Sequence, residues 1–347
     1  MRPVLITGGA GFIGANIADR LASEGRIVLV LDSLQRFGVE RNLAWLVQRR
    51  GDRVRHLAAD IRDAAAVEAA VREAGAVIHL AAQVAVTTSL LDPAADFAVN
   101  LAGTVTLLEA VRRQKRRLPL VFASTNKVYG DLADVALEAQ GGAYAPRDPA
   151  LRQAGVGEGR SLDFHTPYGC SKGGADQYVL DYARSFDLPA CVLRMSCIYG
   201  PLQQGSEDQG WVAHFLMRAL AGEPIRIFGD GRQVRDVLCV SDAVQAYVGA
   251  LQRSESVRGR AFNLGGGPAN AVSLLQLIGH AQRLLRRPIQ IEFAPWRAGD
   301  QRWYVSDASR ARQALGLGEP VDWRAGVASL LQWLQGATSR PTLEAAL

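Results

Sequence analysis

Tyr168 and Lys172 stand four residues apart directly behind Thr166-Pro167, a pair that suits the first turn of a helix because it offers a capping hydroxyl and a proline that needs no amide partner. A spacing of four puts both side chains on one helix face. An ammonium beside a phenol favours the phenolate and should lower its pKa from about 10 toward neutrality, as a general base acting on a hydroxyl group requires. Thr125 closes an apolar run in Ala123-Ser124-Thr125-Asn126-Lys127-Val128-Tyr129-Gly130, and a hydroxyl at the carboxyl end of a strand lies where open α/β sheets bind ligands. Only three lysines occur, Lys115, Lys127 and Lys172, among 39 basic residues. Arginine is the default cation of this chain, so each lysine marks a place where a compact ammonium is worth inspecting.

A second constellation sits at the start. The β-like run 4–6 enters Thr7-Gly8-Gly9-Ala10-Gly11-Phe12-Ile13-Gly14, and helical periodicity begins at once. Glycines so placed allow a tight strand-to-helix turn, close approach of backbone amides to a pyrophosphate, and close packing of helix on sheet. Asp32 ends the next apolar run, 18 residues past Gly14, where its carboxylate can accept from both hydroxyls of an adenosine ribose. It also repels a 2′-phosphate, so NAD is expected rather than NADP, although Arg36 could pair with such a phosphate. Asp60-Ile61, closing the third run, are expected at the adenine edge.

These residues need a scaffold. Short apolar runs at 4–6, 27–31, 54–57, 76–80, 120–123 and 190–193 alternate with segments of helical periodicity, the pattern of parallel βαβ units and hence of an α/β, doubly wound sheet. Residues 132–162, with Gly141-Gly142, Pro146, Pro149 and Gly155, break the rhythm and read as a long surface excursion. Beyond about residue 196 the elements shorten: a helix at 211–221, a strand at 225–228 before Gly229-Asp230-Gly231, a strand at 261–264, and a Ser273-capped helix to 287. The expected division is a dinucleotide-binding domain over 1–195 plus about 236–260, and a smaller, interleaved C-terminal α/β substrate domain over 196–235 and 261–347.

Composition narrows the classes. A length of 347 residues with 48% hydrophobic and 21% charged residues describes an ordinary folded chain. A net charge of +5, dispersed apart from Arg112, Arg113, Lys115, Arg116 and Arg117 at a helix C-terminus, argues against a nucleic-acid partner. The four cysteines have no CxxC spacing and no nearby histidine pair, so neither a metal site nor a disulfide framework is expected, and a cytoplasmic location fits. No signal-peptide core and no long apolar run is evident, so no membrane association is expected.

With these residues in view, the chain resembles the extended short-chain dehydrogenases/reductases, specifically the NAD-dependent nucleotide-sugar epimerases and dehydratases, along essentially its whole length. The motifs are the glycine loop at 7–14, His79-Leu80-Ala81-Ala82-Gln83, Asn100-Leu101-Ala102-Gly103-Thr104, the Thr125 segment, Tyr168-Gly169-Cys170-Ser171-Lys172, Tyr199-Gly200-Pro201, and Arg235-Asp236-Val237 followed by Asp242. The resemblance implies a Rossmann-type domain with NAD and a catalytic trio of Thr125, Tyr168 and Lys172. It implies cofactor contacts at Gly8, Gly11, Phe12, Ile13, Gly14, Asp32, Asp60, Ile61, Leu80, Ala81, Ala82 and Asn100, with Tyr168 and Lys172 at the nicotinamide ribose. Substrate contacts are implied at Thr88, Thr125, Asn126, Arg235 and Arg302, where two guanidiniums suit a diphosphate. Pairing into a homodimer or homotetramer is implied as well.

Dehydratases of this family carry Asp-Glu directly after the threonine, because eliminating water takes a carboxyl group to protonate the leaving hydroxyl and a carboxylate to remove a proton. Here the positions hold Asn126 and Lys127, so dehydration is not expected and hydride chemistry remains. Residues alone reach an NAD-dependent epimerase or reductase of a nucleotide sugar. Longer phrases, among them Gln83-Val84-Ala85-Val86-Thr87-Thr88-Ser89, Leu162-Asp163-Phe164-His165-Thr166-Pro167, Asp208-Gln209-Gly210-Trp211-Val212 and Asp300-Gln301-Arg302, resemble the branch of CDP-paratose 2-epimerases (CDP-tyvelose epimerases). That branch implies inversion at C2 of a CDP-linked hexose through a 2-keto sugar, with a UDP- or GDP-sugar 4-epimerase or a reductase as the alternative. The stretch Met195-Ser196-Cys197-Ile198 lacks the asparagine common in UDP-galactose-type relatives, which weakens that alternative. His165 is expected as a loop histidine bound to backbone, and Cys170 and Cys197 as packed thiols.

Overall fold

The computed structural model describes residues 2–297 and 299–338. In chain order the elements are β1 (Val4–Thr7), α1 (Phe12–Ser23), β2 (Val28–Asp32), α2 (Val39–Arg50), β3 (Val54–Ala58), α3 (Ala64–Glu73), β4 (Ala76–His79), α4 (Val86–Leu91), α5 (Pro93–Phe97), a π-helical turn (Ala98–Ala102), α6 (Gly103–Arg113) and β5 (Leu120–Thr125). There follow β6 (Leu137–Gln140), β7 (Ala143–Pro146), α7 (Pro149–Ala154), α8 (Thr166–Ser185), β8 (Ala190–Met195), β9 (Cys197–Tyr199), α9 (Trp211–Ala221), β10 (Ile225–Phe228), β11 (Val234–Cys239) and α10 (Val240–Gln252). The last are β12 (Ala261–Leu264), β13 (Ala271–Ser273), α11 (Leu274–Leu285), β14 (Ile291–Ala294), β15 (Trp303–Tyr304), α12 (Ser309–Leu315) and α13 (Trp323–Thr338).

Seven parallel strands form the main sheet in the order β12-β8-β5-β4-β1-β2-β3. Its inner strands are apolar on both faces and buried along their length, as a parallel sheet with helices on each side requires. One face is covered by α1, α2, α10 and α12 through Ile17, Leu21, Leu46, Ala246, Tyr247 and Leu315. The other is covered by α3, α6 and α8 through Val67, Leu107, Val111, Ala175 and Val179. Strand order reverses between β1 and β4, which opens a crevice at their carboxyl ends, the place where such sheets take ligands.

The smaller part packs β9, α9, β10, β11, α11 and α13 around Phe215, Ile227, Leu277, Val327 and Leu330. Two sequence expectations are corrected. Strand β12 pairs with β8 in register Phe262↔Leu193, and α12 buries Ala311 and Leu315 on the main sheet, so part of 261–347 belongs with the large sheet. The apolar, β-branched-poor run 261–264 carries no signal of which sheet it joins. Within 132–162, β6 and β7 form an antiparallel hairpin turned by Gly141 and Gly142, both at positive φ (57° and 78°), the backbone a two-residue hairpin turn needs. Among the described residues one continuous helical stretch, Pro93–Arg113, is long and apolar enough to cross a membrane. Here it is a layer helix, and its buried Asp96, Asn100 and Thr104 are all hydrogen-bonded within the protein.

Candidate active site

The glycine turn after β1 is set by sterics. Gly8 sits at φ +69°, and a Cβ there would lie 2.7 Å from the Ala81 amide nitrogen. One on Gly14 would lie 2.4 Å from the Gly8 carbonyl oxygen. The chain therefore reaches the β4 loop and starts α1 only with glycine at both positions. Behind it, the first-turn amides of Phe12, Ile13 and Gly14 have no carbonyl within the helix to accept them, a ready site for a phosphate. Asp32 is held at the edge of this turn by the amides of Ala10 (3.0 Å) and Leu34 (2.9 Å). Gly turn, free amides and an oriented carboxylate together fit an adenine dinucleotide.

A buried polar chain supports the floor. The Leu80 amide donates to the Thr7 carbonyl and the Ala81 amide to Thr7 Oγ1. Thr104 donates to the Asn100 carbonyl, so its oxygen accepts from His79 Nε2, while Thr7 donates to His79 Nδ1. Burial, then the nearby Lys172 charge, push His79 down to about 3, and it stays neutral in this wiring. Asp60 is engaged by Arg62 in two charge-assisted bonds that lower its pKa, and Ile61 packs against Gly103.

Asn100, expected as a cofactor contact, is buried and engaged by protein groups. Its amide nitrogen donates to the Gln83 carbonyl, Asp96 and Ser171, and its oxygen accepts the Gln83 amide. The residue fixes the 80–83 loop that faces Gly8. Asp96 was not singled out from sequence. It accepts from Gln83 and Asn100 and, at 2.5 Å, from Ser171, the residue directly before Lys172. Its only sequence signal is a spacing of four from Asn100 on an otherwise apolar helix.

The trio converges at the carboxyl end of β5. Thr125, Tyr168 and Lys172 are 7%, 9% and 4% exposed. Helix α8 is started by Thr166, whose Oγ1 accepts the Gly169 amide at 3.3 Å, and is tied to α4 by the Tyr168 amide donating to Ser89 Oγ. One expectation is corrected: Tyr168 is pushed up to about 12 by burial, against the downward pull of a hydrogen bond with Thr125. The Lys172 ammonium lies over the Phe122 ring, 4.2 Å from its centroid, and burial drives it down to about 7 against the pull of Asp176 and Asp96. Both groups are desolvated in the protein alone, and burial is the largest influence on each.

This has a measurable consequence for stability. Between pH 7 and about 8.5, before unfolded thiols titrate, the unfolded chain keeps a proton at Lys172 that the folded chain has lost. Stability of the NAD-free protein therefore rises with pH through this window, and below pH 7, where both states are protonated, the contribution is flat. The slope due to this one lysine is at most about 1.4 kcal/mol per pH unit. Thermal melts across the window should show it, and Lys172→Met should reduce it to the part that Lys127, held down to about 8, still contributes; an unchanged slope in the variant removes Lys172 as a source.

Next to Thr125, Asn126 accepts from the threonine hydroxyl and donates to Gln301. Lys127 donates to the Gly299 carbonyl at 2.9 Å. Burial and Arg235 push Lys127 down to about 8, opposed by Asp300, Cys197 and Asp131. Arg235 is paired with Asp300 at 2.7 Å. Arg302 lies exposed between the rings of Tyr144 and Trp296. Thr88, expected to touch substrate, is exposed on α4, whereas the Thr87 hydroxyl one residue earlier is buried without a protein partner. Helical rotation of 100° per residue separates the two, and sequence does not set the phase of a six-residue helix. His165 faces the carboxylates of Asp163 (3.1 Å) and Asp131 (3.7 Å) rather than backbone. Cys170 is exposed, while Cys197 is partly buried and accepts from Trp211 Nε1; all four cysteines are free.

A seven-stranded parallel sheet with this turn and this trio defines a dinucleotide-dependent α/β enzyme acting on hydroxyl groups. The profile of the NAD dependent epimerase/dehydratase family matches residues 4–265, and the chain belongs to that family; its cofactor is NAD. The CDP-paratose 2-epimerase of Salmonella typhi is 40% identical over 337 residues, covering 95% of this chain and 98% of that protein. A dTDP-glucose 4,6-dehydratase of Xanthomonas campestris is 31% identical, covering 95% and 92%. Among solved structures, the UDP-glucose 4-epimerase of Thermus thermophilus in complex with NAD superposes with a TM-score of 0.80 at 30% identity, covering 96% of this chain and 99% of that one.

Proposed function

We propose that this chain is a C2 epimerase of a CDP-linked hexose, converting CDP-paratose to CDP-tyvelose or a close analogue such as CDP-glucose. The observation that carries the reading is the neighbourhood of Thr125: the trio is complete, yet the two residues that follow are an amide and an ammonium engaged with Gln301 and Gly299. A carboxyl pair for elimination is missing from those positions, so the chemistry left to the site is reversible oxidation of a hydroxyl-bearing carbon. The 40% identity to a CDP-paratose 2-epimerase supports the nucleotide and the carbon.

Bound NAD supplies the hydride acceptor and donor for C2. With NAD bound, Tyr168 as the phenolate would take the proton from the C2 hydroxyl oxygen as the ketone forms and give it back to that oxygen when the hydride returns to the opposite face of C2. Thr125 holds the same oxygen by hydrogen bond, and Lys172 places a positive charge beside the reacting centre and the nicotinamide ribose. Gly8, Gly11, Phe12, Ile13, Gly14 and Asp32 hold the pyrophosphate and adenosine ribose, with Asp60, Ile61 and Leu80–Ala82 as walls. Arg235 and Arg302 take the diphosphate. Exposed apolar side chains on α4, α5, α8 and just past the end of α8, Leu91, Phe97, Tyr178 and Phe186, support a homodimer or homotetramer through that face. A cytoplasmic location belongs to the reading and is supported by four free cysteines.

Proton NMR of CDP-paratose incubated in D2O with the purified holoenzyme tests this. CDP-tyvelose should appear with no deuterium at C2. Inversion of a UDP-sugar instead, with CDP-sugars untouched, moves the assignment to a 4-epimerase, and deuterium at C2 rules out direct return of the same hydrogen.

A further inference from the structure

Residues 299, 300 and 301 lie between β14 and β15, and each is gripped by a different side chain of the site. The Gly299 carbonyl accepts from Lys127 Nζ, the Asp300 carboxylate pairs with Arg235, and the Gln301 side chain accepts from Asn126 while donating to the Gly130 carbonyl at 2.5 Å. Gln301 is fully buried. Gly299 also rests on both helices that frame the trio, because a Cβ there would lie 2.7 Å from Thr166 Cγ2 and 3.9 Å from Val86 Cγ1. Its φ of +71° and that contact demand glycine. Opposite it, Thr166 holds φ +63°, a conformation that a β-branched residue adopts only when its surroundings enforce it. The strap therefore touches the turn that follows β5, the start of α8 and the start of α4; β5 and α8 carry Thr125 and Tyr168.

We infer that Lys127 is a positioning residue, and that together with Asn126 and Arg235 it latches residues 299–301 as a wall against the hexose side of the Thr125 site. The inference rests on the reading of the chain as a nucleotide-sugar epimerase. Lys127 acts through the Gly299 carbonyl and not on the phosphates, so its loss loosens the wall around the sugar and leaves the nucleotide half of the site alone. A lysine is suited to this because its single ammonium can reach one backbone carbonyl from the short turn after β5, where a planar guanidinium would need more than one acceptor.

The test uses holoenzyme with Lys127→Met and Lys127→Arg. In Lys127→Met, hydrogen–deuterium exchange in the peptide spanning 295–304 should speed up at least tenfold while the glycine turn at 7–14 is unchanged. Affinity for CDP should stay within threefold, and kcat with the CDP-hexose should fall at least tenfold. Lys127→Arg should restore part of the kcat and of the protection. Unchanged exchange in the strap overturns the inference, and so does a large loss of CDP affinity with kcat intact, which makes Lys127 a phosphate contact. If the wild type inverts no CDP-hexose, the functional reading fails while the exchange result still decides the strap.

Discussion

Tyr168→Phe should lower the rate of CDP-hexose inversion by about 100- to 10,000-fold, the range expected when a positioned acid–base group is lost, and leave the fold and bound NAD in place. The substitution removes one oxygen and keeps the ring, which packs almost wholly buried at the start of α8. In the NAD-free protein burial pushes the phenol up to about 12, against the downward pull of a hydrogen bond with Thr125. Removing it leaves the threonine hydroxyl with Asn126 as an acceptor, so no buried donor is orphaned and little stability is lost. Rate by NMR, NAD content by absorbance and melting temperature separate the possibilities. A variant that keeps more than a tenth of the wild-type rate excludes the phenol as the proton carrier. A variant that melts much lower makes the loss structural.

Much of this site could be read without coordinates because its parts are local. The glycine turn, its strand and its helix lie within twenty residues, and Tyr168 and Lys172 are one helical turn apart. Helix α9 and strands β10 and β12 begin and end where composition places them, since glycine and proline bracket the first two. What sequence left hidden depends on contacts between distant segments. Asp96 and Ser171 are 75 residues apart, and Lys127 and Gly299 are 172 apart. No periodicity links such pairs. Asn100 illustrates the same limit: a motif asparagine near the cofactor loop reads as a ligand, and nothing in its spacing reveals its four bonds to Gln83, Asp96 and Ser171. The inverted pKa expectation at Tyr168 has a different origin. Spacing places the ammonium on the same helix face but does not reveal Phe122 beneath it, nor the depth of burial of both groups.

Arg194→Met should be the most damaging single change to stability, about 3–5 kcal/mol, because it strips the partner from a buried carboxylate. Arg194 on β8 meets Asp176 on α8 through two bonds of 2.9 Å and donates a third to Tyr129. Asp176 has no exposed surface, and its other donors are Ser124 at 2.7 Å and the neighbouring Gln177. Burial alone lowers the pKa of the guanidinium, yet the bonds and charge of Asp176 reverse this and carry it above its ordinary value. Without the arginine, Asp176 must stay charged in a dry core or take up a proton, and Tyr129, which also donates to Asn263, loses a neighbour. A melting temperature lower by about 4–7 °C is expected for a chain of this length. Replacing both partners, Asp176→Leu with Arg194→Met, should recover most of it, because two apolar groups leave no buried charge behind. The pair lies directly behind the trio: Ser124 adjoins Thr125, and Asp176 is one helical turn beyond Lys172. Since Asp176 already pulls Lys172 upward, freeing its charge from Arg194 should raise Lys172 further and move the stability rise above pH 7 to higher pH in the single variant. In the double variant that pull is gone, so the rise should move to lower pH. Melts of the three proteins against pH test both statements together, and equal curves would show that the ion pair and the lysine are not coupled.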